Sequence, residues 1–194
     1  MLKKKHSDQA DIIDGLGKME QAVAESMKIF DFARMYEQLG VEELTYVNME
    51  DTLNEALALF SGSLNVKIIN DLQELTLLAD SFLRQMFFNL IDNSAKHGKK
   101  VTTIKVSYEK ADQENLNLIY EDDGIGISAD NKLKLFKSGF STGNSSGYGL
   151  YLIKKMMEVY GWTIQENGQP QKGAKFTITI PKVNQNGKEN FRIT

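Results

Sequence analysis

Three stretches of this chain alternate apolar and polar residues with a period of two. Ile104, Val106 and Tyr108 stand against Thr103, Lys105 and Ser107. Leu116, Leu118 and Tyr120 stand against Asn115 and Asn117, and Phe176, Ile178 and Ile180 against Lys175, Thr177 and Thr179. Successive side chains of a strand point to opposite faces, so each stretch reads as a strand with one buried face. A sheet built this way is mostly antiparallel, and its apolar side needs a cover.

Helices supply that cover. Asp80 reads as the cap of a helix from Ser81 to His97, closed by Gly98, and a second helix runs from Gly149 to Tyr160 with Leu150, Ile153, Met157 and Tyr160 on one face. Asn48, with Asp51 three residues on, starts a short helix carrying Leu53, Ala56, Leu57 and Phe60 and stopped by Ser61-Gly62-Ser63. Shorter strands are expected around Val66–Ile69, Leu75–Leu78 and Thr163–Gln165, and the polar tail after Pro181 reads as loose. The expected fold class is α+β, a two-layer sandwich with a mixed, mostly antiparallel sheet and helices on one face.

A long helix precedes it. From Asp8 to Gln38 there is no Pro, and Ile12, Leu16, Met19, Val23, Ser26, Phe30 and Ala33 recur at steps of four and three, with Gly40 as the C-terminal cap. So narrow a seam suits a second helix, from a dimer mate or elsewhere, or packing on the domain that follows. The expected division is residues 1–45 for this helix and 46–194 for the sandwich.

Length and charge bound the function. At 194 residues the chain has room for one ordinary domain plus a helical appendage. Lys and Arg number 23 against 26 Asp and Glu, a net charge of −3, so there is no basic footprint for nucleic acid. The absence of Cys excludes disulfides, thiolate zinc sites and cysteine nucleophiles, and fits a reducing, cytoplasmic setting. The longest apolar runs, such as Leu57–Phe60, fall far short of the roughly 20 residues of a membrane span.

Three features carry chemistry. On the helix from Ser81 to His97, the residues Leu83, Phe87, Leu90, Ile91 and Ser94 gather on one side, while Asn89, Asn93 and Lys96 form a separate stripe. Asn is a poor helix former, and amide oxygens beside an ammonium suit a hydrated Mg²⁺ bound to phosphates; a solvated polar face is the alternative. At a strand end, Asp122-Asp123-Gly124-Ile125-Gly126-Ile127 offers a carboxylate to an exocyclic amine and two glycines for close approach, or else plain turn chemistry. Gly143-Asn144-Ser145-Ser146-Gly147-Tyr148-Gly149-Leu150 leads into a helix start, where orphan N–H groups and the dipole attract anions, or serves as a linker. Neither Walker nor Rossmann spacing is present.

The order of these features resembles the GHKL superfamily, specifically the two-component sensor histidine kinases. Phe87 to His97 is similar to the N box, Asp122 to Ile127 to the G1 box, Leu135-Phe136-Lys137-Ser138-Gly139-Phe140 to the F box, and Gly147-Tyr148-Gly149-Leu150 to the end of the G2 box. The likeness spans roughly Asn48 to Pro181 and implies a Bergerat-type ATP fold. It implies that Asn93 with Asn89 holds Mg²⁺, that Lys96 and His97 reach phosphates, and that Asp122 hydrogen-bonds the adenine amine. Gly124, Gly126 and Ile127 then line the base pocket, and Gly147 and Gly149 meet the phosphates beside Tyr148 and Leu150. Residues 138–146 become an ATP lid, including Ser141, Thr142 and Gly143, with Phe136 at its base and Phe140 its apolar anchor. The chain departs from the family at Ser145-Ser146, where the fuller G2 box often has another glycine.

The hydrolases of the superfamily place a Glu where Asn89 stands. An amide is a far weaker base, so the resemblance points to phosphoryl transfer onto another nucleophile. In the family that nucleophile is a histidine on a dimerising helical hairpin, followed by transfer to a response regulator, and the N-terminal helix resembles the hairpin's second helix. His97 lies in the presumed ATP site, and His6 lacks the acidic residue that follows an acceptor histidine. The expectation is therefore a histidine kinase catalytic region whose acceptor histidine is absent from this chain. The alternatives are a nucleotide-gated interaction module without transfer, or an ATPase.

Overall fold

A computed structural model describes residues 10–60, 62, 64–143 and 145–193, so His6 and Asn144 lie outside the described residues. These residues fall into two compact units, one ending at Glu37 and the other beginning at Gln38. The first is a helix, α1 (Ala10–Gln38), 29 residues long. Along it Lys18 pairs with Asp14 at 2.7 Å, and Ser26 Oγ donates to Ala22 O at 2.8 Å. Its end matches the capping expected at Gly40, which holds a φ of +76°.

The second unit runs β1 (Thr45–Asn48), α2 (Met49–Ala58), β2 (Lys67–Asp71), β3 (Leu75–Ala79), α3 (Phe82–His97), β4 (Thr103–Lys110) and β5 (Asn115–Asp122). It continues with α4 (Ala129–Lys132), α5 (Gly149–Tyr160), β6 (Thr163–Glu166), β7 (Lys175–Pro181) and β8 (Phe191–Ile193). Five strands form the main sheet in the order β2-β4-β5-β7-β6, antiparallel except for the β2–β4 pair. The period-two stretches become its three central strands. Ile104, Val106, Leu116, Leu118, Tyr120, Phe176, Ile178 and Ile180 are buried on its covered face, against Leu83, Met86, Phe87, Leu90 and Ile91 of α3 and Leu152, Ile153, Met156 and Met157 of α5. Each large side chain so buried contributes about 1.5–3 kcal/mol.

α2 starts as its sequence indicates, with Asn48 Oδ1 accepting from the Asp51 N–H at 3.0 Å. At the head of α3, Asp80 Oδ1 accepts the Phe82 N–H at 3.0 Å. At its far end, α5 closes on Gly161 in the left-handed conformation.

The expected mixed, mostly antiparallel α+β sandwich is present, with its strands divided between two sheets, since β1, β3 and β8 make a separate antiparallel sheet in the order β1-β3-β8. One expectation is corrected. The tail beyond Pro181 is not loose. Asn190 is 1% exposed, its Nδ2 donates to Pro181 O at 2.9 Å, and its carbonyl accepts the Leu78 N–H at 2.8 Å, which seats β8 on β3. Arg192 stacks on the Tyr46 ring at 3.6 Å, tying the two outer strands of this sheet together. Among the described residues, no helix is long and apolar enough to cross a membrane.

Candidate nucleotide site

α3 turns its apolar face to the sheet and leaves Asn89 and Asn93 half-buried at its margin. Asn89 is fixed from two sides. Its Oδ1 accepts from Gln85 Nε2 at 3.2 Å, and its Nδ2 points at Gly149 O at 3.4 Å, so α3 meets the first residue of α5 here. A Cβ at Gly149 would lie 3.5 Å from the Asn89 amide. Asn93 differs: its Nδ2 is buried without a hydrogen-bond partner among the described residues. An unsatisfied buried amide one turn from Asn89 fits a site that is completed by a ligand.

Lys96, expected on the same stripe, is exposed and its Nζ lies 2.6 Å from Asp92 Oδ2, one turn back. The lysine is thus held by its own helix. His97 is half-buried, and a Cβ at Gly143 would stand 3.6 Å from its ring, so the end of α3 borders the 138–147 loop.

Asp122, at the end of β5, is 7% exposed and fully engaged on one oxygen. Oδ1 accepts the N–H groups of Gly124 and Ala174, each at 3.0 Å. Oδ2 accepts the hydroxyl of Ser94 from α3, and the Tyr120 hydroxyl donates in turn to Ser94 Oγ at 2.9 Å. Burial pushes the Tyr120 phenol far above its ordinary range, which keeps it a donor and leaves the Ser94 proton for Asp122. A carboxylate oxygen has two lone pairs, so Oδ2 retains one acceptor position. Asp123, next in sequence, turns outward instead. Its carboxylate accepts from the N–H groups of Thr102 and Thr103 and from the Thr102 hydroxyl, tying the end of β5 to the start of β4.

The glycines of this turn answer to the protein itself. A Cβ on Gly124 would stand 2.7 Å from Gly98 O, and one on Gly126, which has a φ of +66°, 2.6 Å from Gln169 O. The space they save is filled by the chain at the end of α3 and by the β6–β7 loop, and Ile127 continues half-buried beside it. The glycine with the most severe demand is Gly173, at φ +96°, whose Cβ would fall 1.7 Å from Asp122 O. It carries the β6–β7 loop directly over Asp122.

The loop before α5 closes on itself. Gly147 holds φ +72°, and its Cβ would stand 2.5 Å from the Gly139 carbonyl carbon and 2.7 Å from that of Phe140. Ser141 Oγ lies 2.7 Å from Ser145 Oγ and accepts the Gly143 N–H at 3.2 Å. Phe136 and Phe140 are half-buried, while Thr142 and Gly143 are exposed. Tyr148 is the residue before α5, and no side chain caps the helix start formed by Gly149 and Leu150. An uncapped N-terminus presents N–H donors and a positive dipole end to an anion.

The structure therefore gathers Asn89, Asn93, Asp122, His97, Gly143 and Gly149 around α3. Ser94, Tyr120 and Gly173 complete the cradle of Asp122 and are not singled out by motif spacing. Among the described residues no cluster of three His, Asp or Glu side chains could hold a metal ion unaided, so any cation here has to bring ligands such as phosphate oxygens with it.

A two-layer sandwich with an amide-bearing helix, a buried strand-end carboxylate and an uncapped helix start below a glycine loop defines an ATP-binding domain. A family model for histidine kinase-, DNA gyrase B- and HSP90-like ATPases matches residues 79–184, more than half of the chain, and the chain belongs to that family. Sporulation kinase E of Bacillus subtilis is 30% identical over 159 residues, covering 81% of this chain and 21% of that protein. The heme sensor protein HssS of Staphylococcus saprophyticus is 30% identical over 120 residues, 60% of this chain and 26% of that protein. Sensor protein GacS of Pseudomonas syringae is 25% identical over 203 residues, 93% of this chain and 22% of that protein. The chain thus spans about a quarter or less of these relatives. Among solved structures, the mycobacterial sensor histidine kinase MprB superposes with a TM-score of 0.62 at 21% identity, covering 71% of this chain and 97% of that one. Full-length ShkA in complex with AMPPNP gives 0.68 at 20% identity over 96% of this chain and 40% of that one. Both share the fold, and the domain formed here is the ATP-binding catalytic domain found in histidine kinases.

Proposed function

We propose that this chain binds Mg-ATP and transfers its γ-phosphate to a histidine on a helical hairpin of a two-component system. The observation that carries this reading is the meeting of three separate segments on one helix: Asn89 with Gly149, Ser94 with Asp122, and His97 with Gly143. In this reading Asp122 Oδ2 accepts the exocyclic amine of adenine at its remaining acceptor position. The turn from Gly124 through Gly126 to Ile127 flanks the base by its backbone, with its glycines demanded by their packing on Gly98 and Gln169 rather than by the ligand; the N–H groups from Gly147 to Leu150 hold phosphate oxygens, and Phe140 anchors the lid. The amide oxygens of Asn93 and Asn89 would hold the ion, which would neutralise phosphate charge, and the unsatisfied Asn93 Nδ2 would donate to a phosphate oxygen. Asn89 cannot take a proton from water at neutral pH, which disfavours hydrolysis and leaves the γ-phosphorus for an imidazole nitrogen: the N–P bond forms as the bond to the β–γ bridging oxygen breaks, and ADP leaves.

His97 sits beside the lid, so the acceptor is a histidine of another segment. Residues 1–45 are proposed as the second hairpin helix and 46–194 as the catalytic domain, with the hairpin, the response regulator and a second copy of the chain as partners.

Two experiments test this. Mg-dependent ATP binding is measured by calorimetry for the wild type and Asp122→Asn. An amide at 122 turns an NH₂ toward Ser94 or toward the base, setting donor against donor, and the expected loss is tenfold or more. Unchanged affinity refutes the role of Asp122. Labelled ATP is then supplied with a separately made hairpin bearing an acceptor histidine; binding without label on the hairpin favours the interaction module over the kinase.

A further inference from the structure

Asp80, at the opposite end of α3 from the nucleotide site, lines a groove of about 390 Å³ between β1, α2 and the start of α3. At 1.5 Å per residue it lies about 20 Å along the helix from Asn93. The groove is acidic: Glu42, Asp51, Glu55 and Asp80 face a single Arg84. That arginine approaches Glu55 only to 3.9 Å with both partners exposed, a weak pairing. Ser81 Oγ donates to Glu42 Oε2 at 2.7 Å, which fixes one wall.

Asp80 is the unusual member, being only 2% exposed. Its Oδ1 accepts the Phe82 N–H at 3.0 Å and the Tyr160 hydroxyl, whereas Oδ2 is buried with no hydrogen-bond partner among the described residues. Burial, with the charges of Asp80 and Glu42, holds the Tyr160 phenol far above its ordinary range, so the tyrosine donates and Asp80 accepts. A buried carboxylate oxygen with no donor is costly, and in a groove of this charge the complementary donor is a cation.

The carboxylates are too dispersed for a bare metal ion, since no cluster of three that could hold one exists among the described residues. A longer cation with its own N–H donors fits better. We propose that this groove binds an organic cation bearing primary ammonium groups, one drawn to the Asp80 carboxylate at the inner wall and the remainder lying along Glu42, Asp51 and Glu55. A free polyamine and a lysine side chain of a polypeptide share this chemistry.

The full chain carries one tryptophan, Trp162, whose ring lies 4.8 Å from that of Tyr160, and Tyr160 is bonded to Asp80. Occupancy of Asp80 is therefore read as a change in Trp162 fluorescence. Spermidine and, separately, a short lysine-rich peptide are titrated into the full chain at 150 mM salt without nucleotide. Saturable binding of either supports the site, and the probe that saturates at the lower concentration identifies the source. Asp80→Asn is expected to weaken binding at least tenfold. Asp80 also orders the head of α3, so the exposed-side variants Glu42→Gln and Asp51→Asn serve beside it, each expected to weaken binding about threefold. No saturable binding of either probe overturns the proposal. So does displacement by MgCl₂ well beyond that by NaCl at matched ionic strength, which would mark a divalent-cation site, or binding unchanged in Glu42→Gln and Asp51→Asn.

Discussion

Ser94→Ala tests the cradle of Asp122 most directly. The hydroxyl of Ser94 serves two buried groups at once, accepting from Tyr120, which is 1% exposed, and donating to Asp122, which is 7% exposed. Its removal leaves a buried phenol without an acceptor and a buried carboxylate oxygen without a donor. Each orphaned group costs about 1–3 kcal/mol, so the substitution is expected to destabilise by about 2–6 kcal/mol. Tyr120→Phe removes one neutral hydrogen bond and is expected to cost about 1 kcal/mol. In the double variant the phenol is gone, and its orphaning cost goes with it. The two losses are therefore sub-additive by about 1–3 kcal/mol. Urea denaturation of the four proteins without nucleotide measures this; with a slope of about 2 kcal/mol/M, Ser94→Ala moves the midpoint down by about 1–3 M. A Ser94→Ala loss below about 0.5 kcal/mol, or additivity within that margin, refutes the relay from Tyr120 through Ser94 to Asp122.

Gly173→Ala forces a Cβ toward Asp122 O at a φ of +96°, and thermal melts are expected to show a loss of about 3 kcal/mol or more, with ATP affinity falling alongside. Truncation after Pro181 removes β8 and the Asn190 bridges; the expected cost is about 2–4 kcal/mol, and hydrogen exchange should show the Leu78 amide losing protection. Asn93→Ala deletes an amide nitrogen that has no partner, so apo stability should fall by less than about 1 kcal/mol while Mg-dependent ATP binding is lost, as paired melts and calorimetry would show. Burial raises the Asp123 carboxyl, but hydrogen bonds from Thr102 and Thr103 outweigh it and hold the group below the usual carboxylate range. Its stabilisation is therefore full above the unfolded value of about 3.9 and is lost as pH falls through the lower folded value, so the stability gap between wild type and Asp123→Asn should close in acid.

The parts of this fold that are legible in the sequence are those whose cause is local. A strand covered on one face must alternate, which is why Thr103–Lys110 and Lys175–Pro181 are visible in the order of their residues alone, and Asn48 advertises a helix start because its side chain bonds three residues ahead. β8 has no such signature. Three residues cannot display a period, and what seats them is one buried asparagine bonded to Pro181 and Leu78. The same division runs through the site. Asn89 and Asn93 stand out because amides one turn apart are unusual in a helix, whereas Ser94 sits on the apolar side of the same wheel, where a small hydroxyl looks like packing. Lys96 shares the amides' stripe, yet Asp92 four residues earlier is a local competitor that helical spacing alone identifies. Gly173 reads as an ordinary turn glycine because its reason, Asp122 O, lies about fifty residues away in the chain.

The site's geometry rests on the α3–α5 pair. The helices are joined at one end by Asn89 with Gly149 O and at the other by the Tyr160 hydroxyl with Asp80, contacts separated by nine residues along α3 and eleven along α5. Those separations correspond to about 14 and 16 Å of helix, so an antiparallel pair clasped at both ends has little freedom to slide. The strand-end carboxylate is attached to the same helix through Ser94. Asp80, Asn89, Asn93 and Ser94 thus stand on or at the head of one helix, held to α5 at both ends.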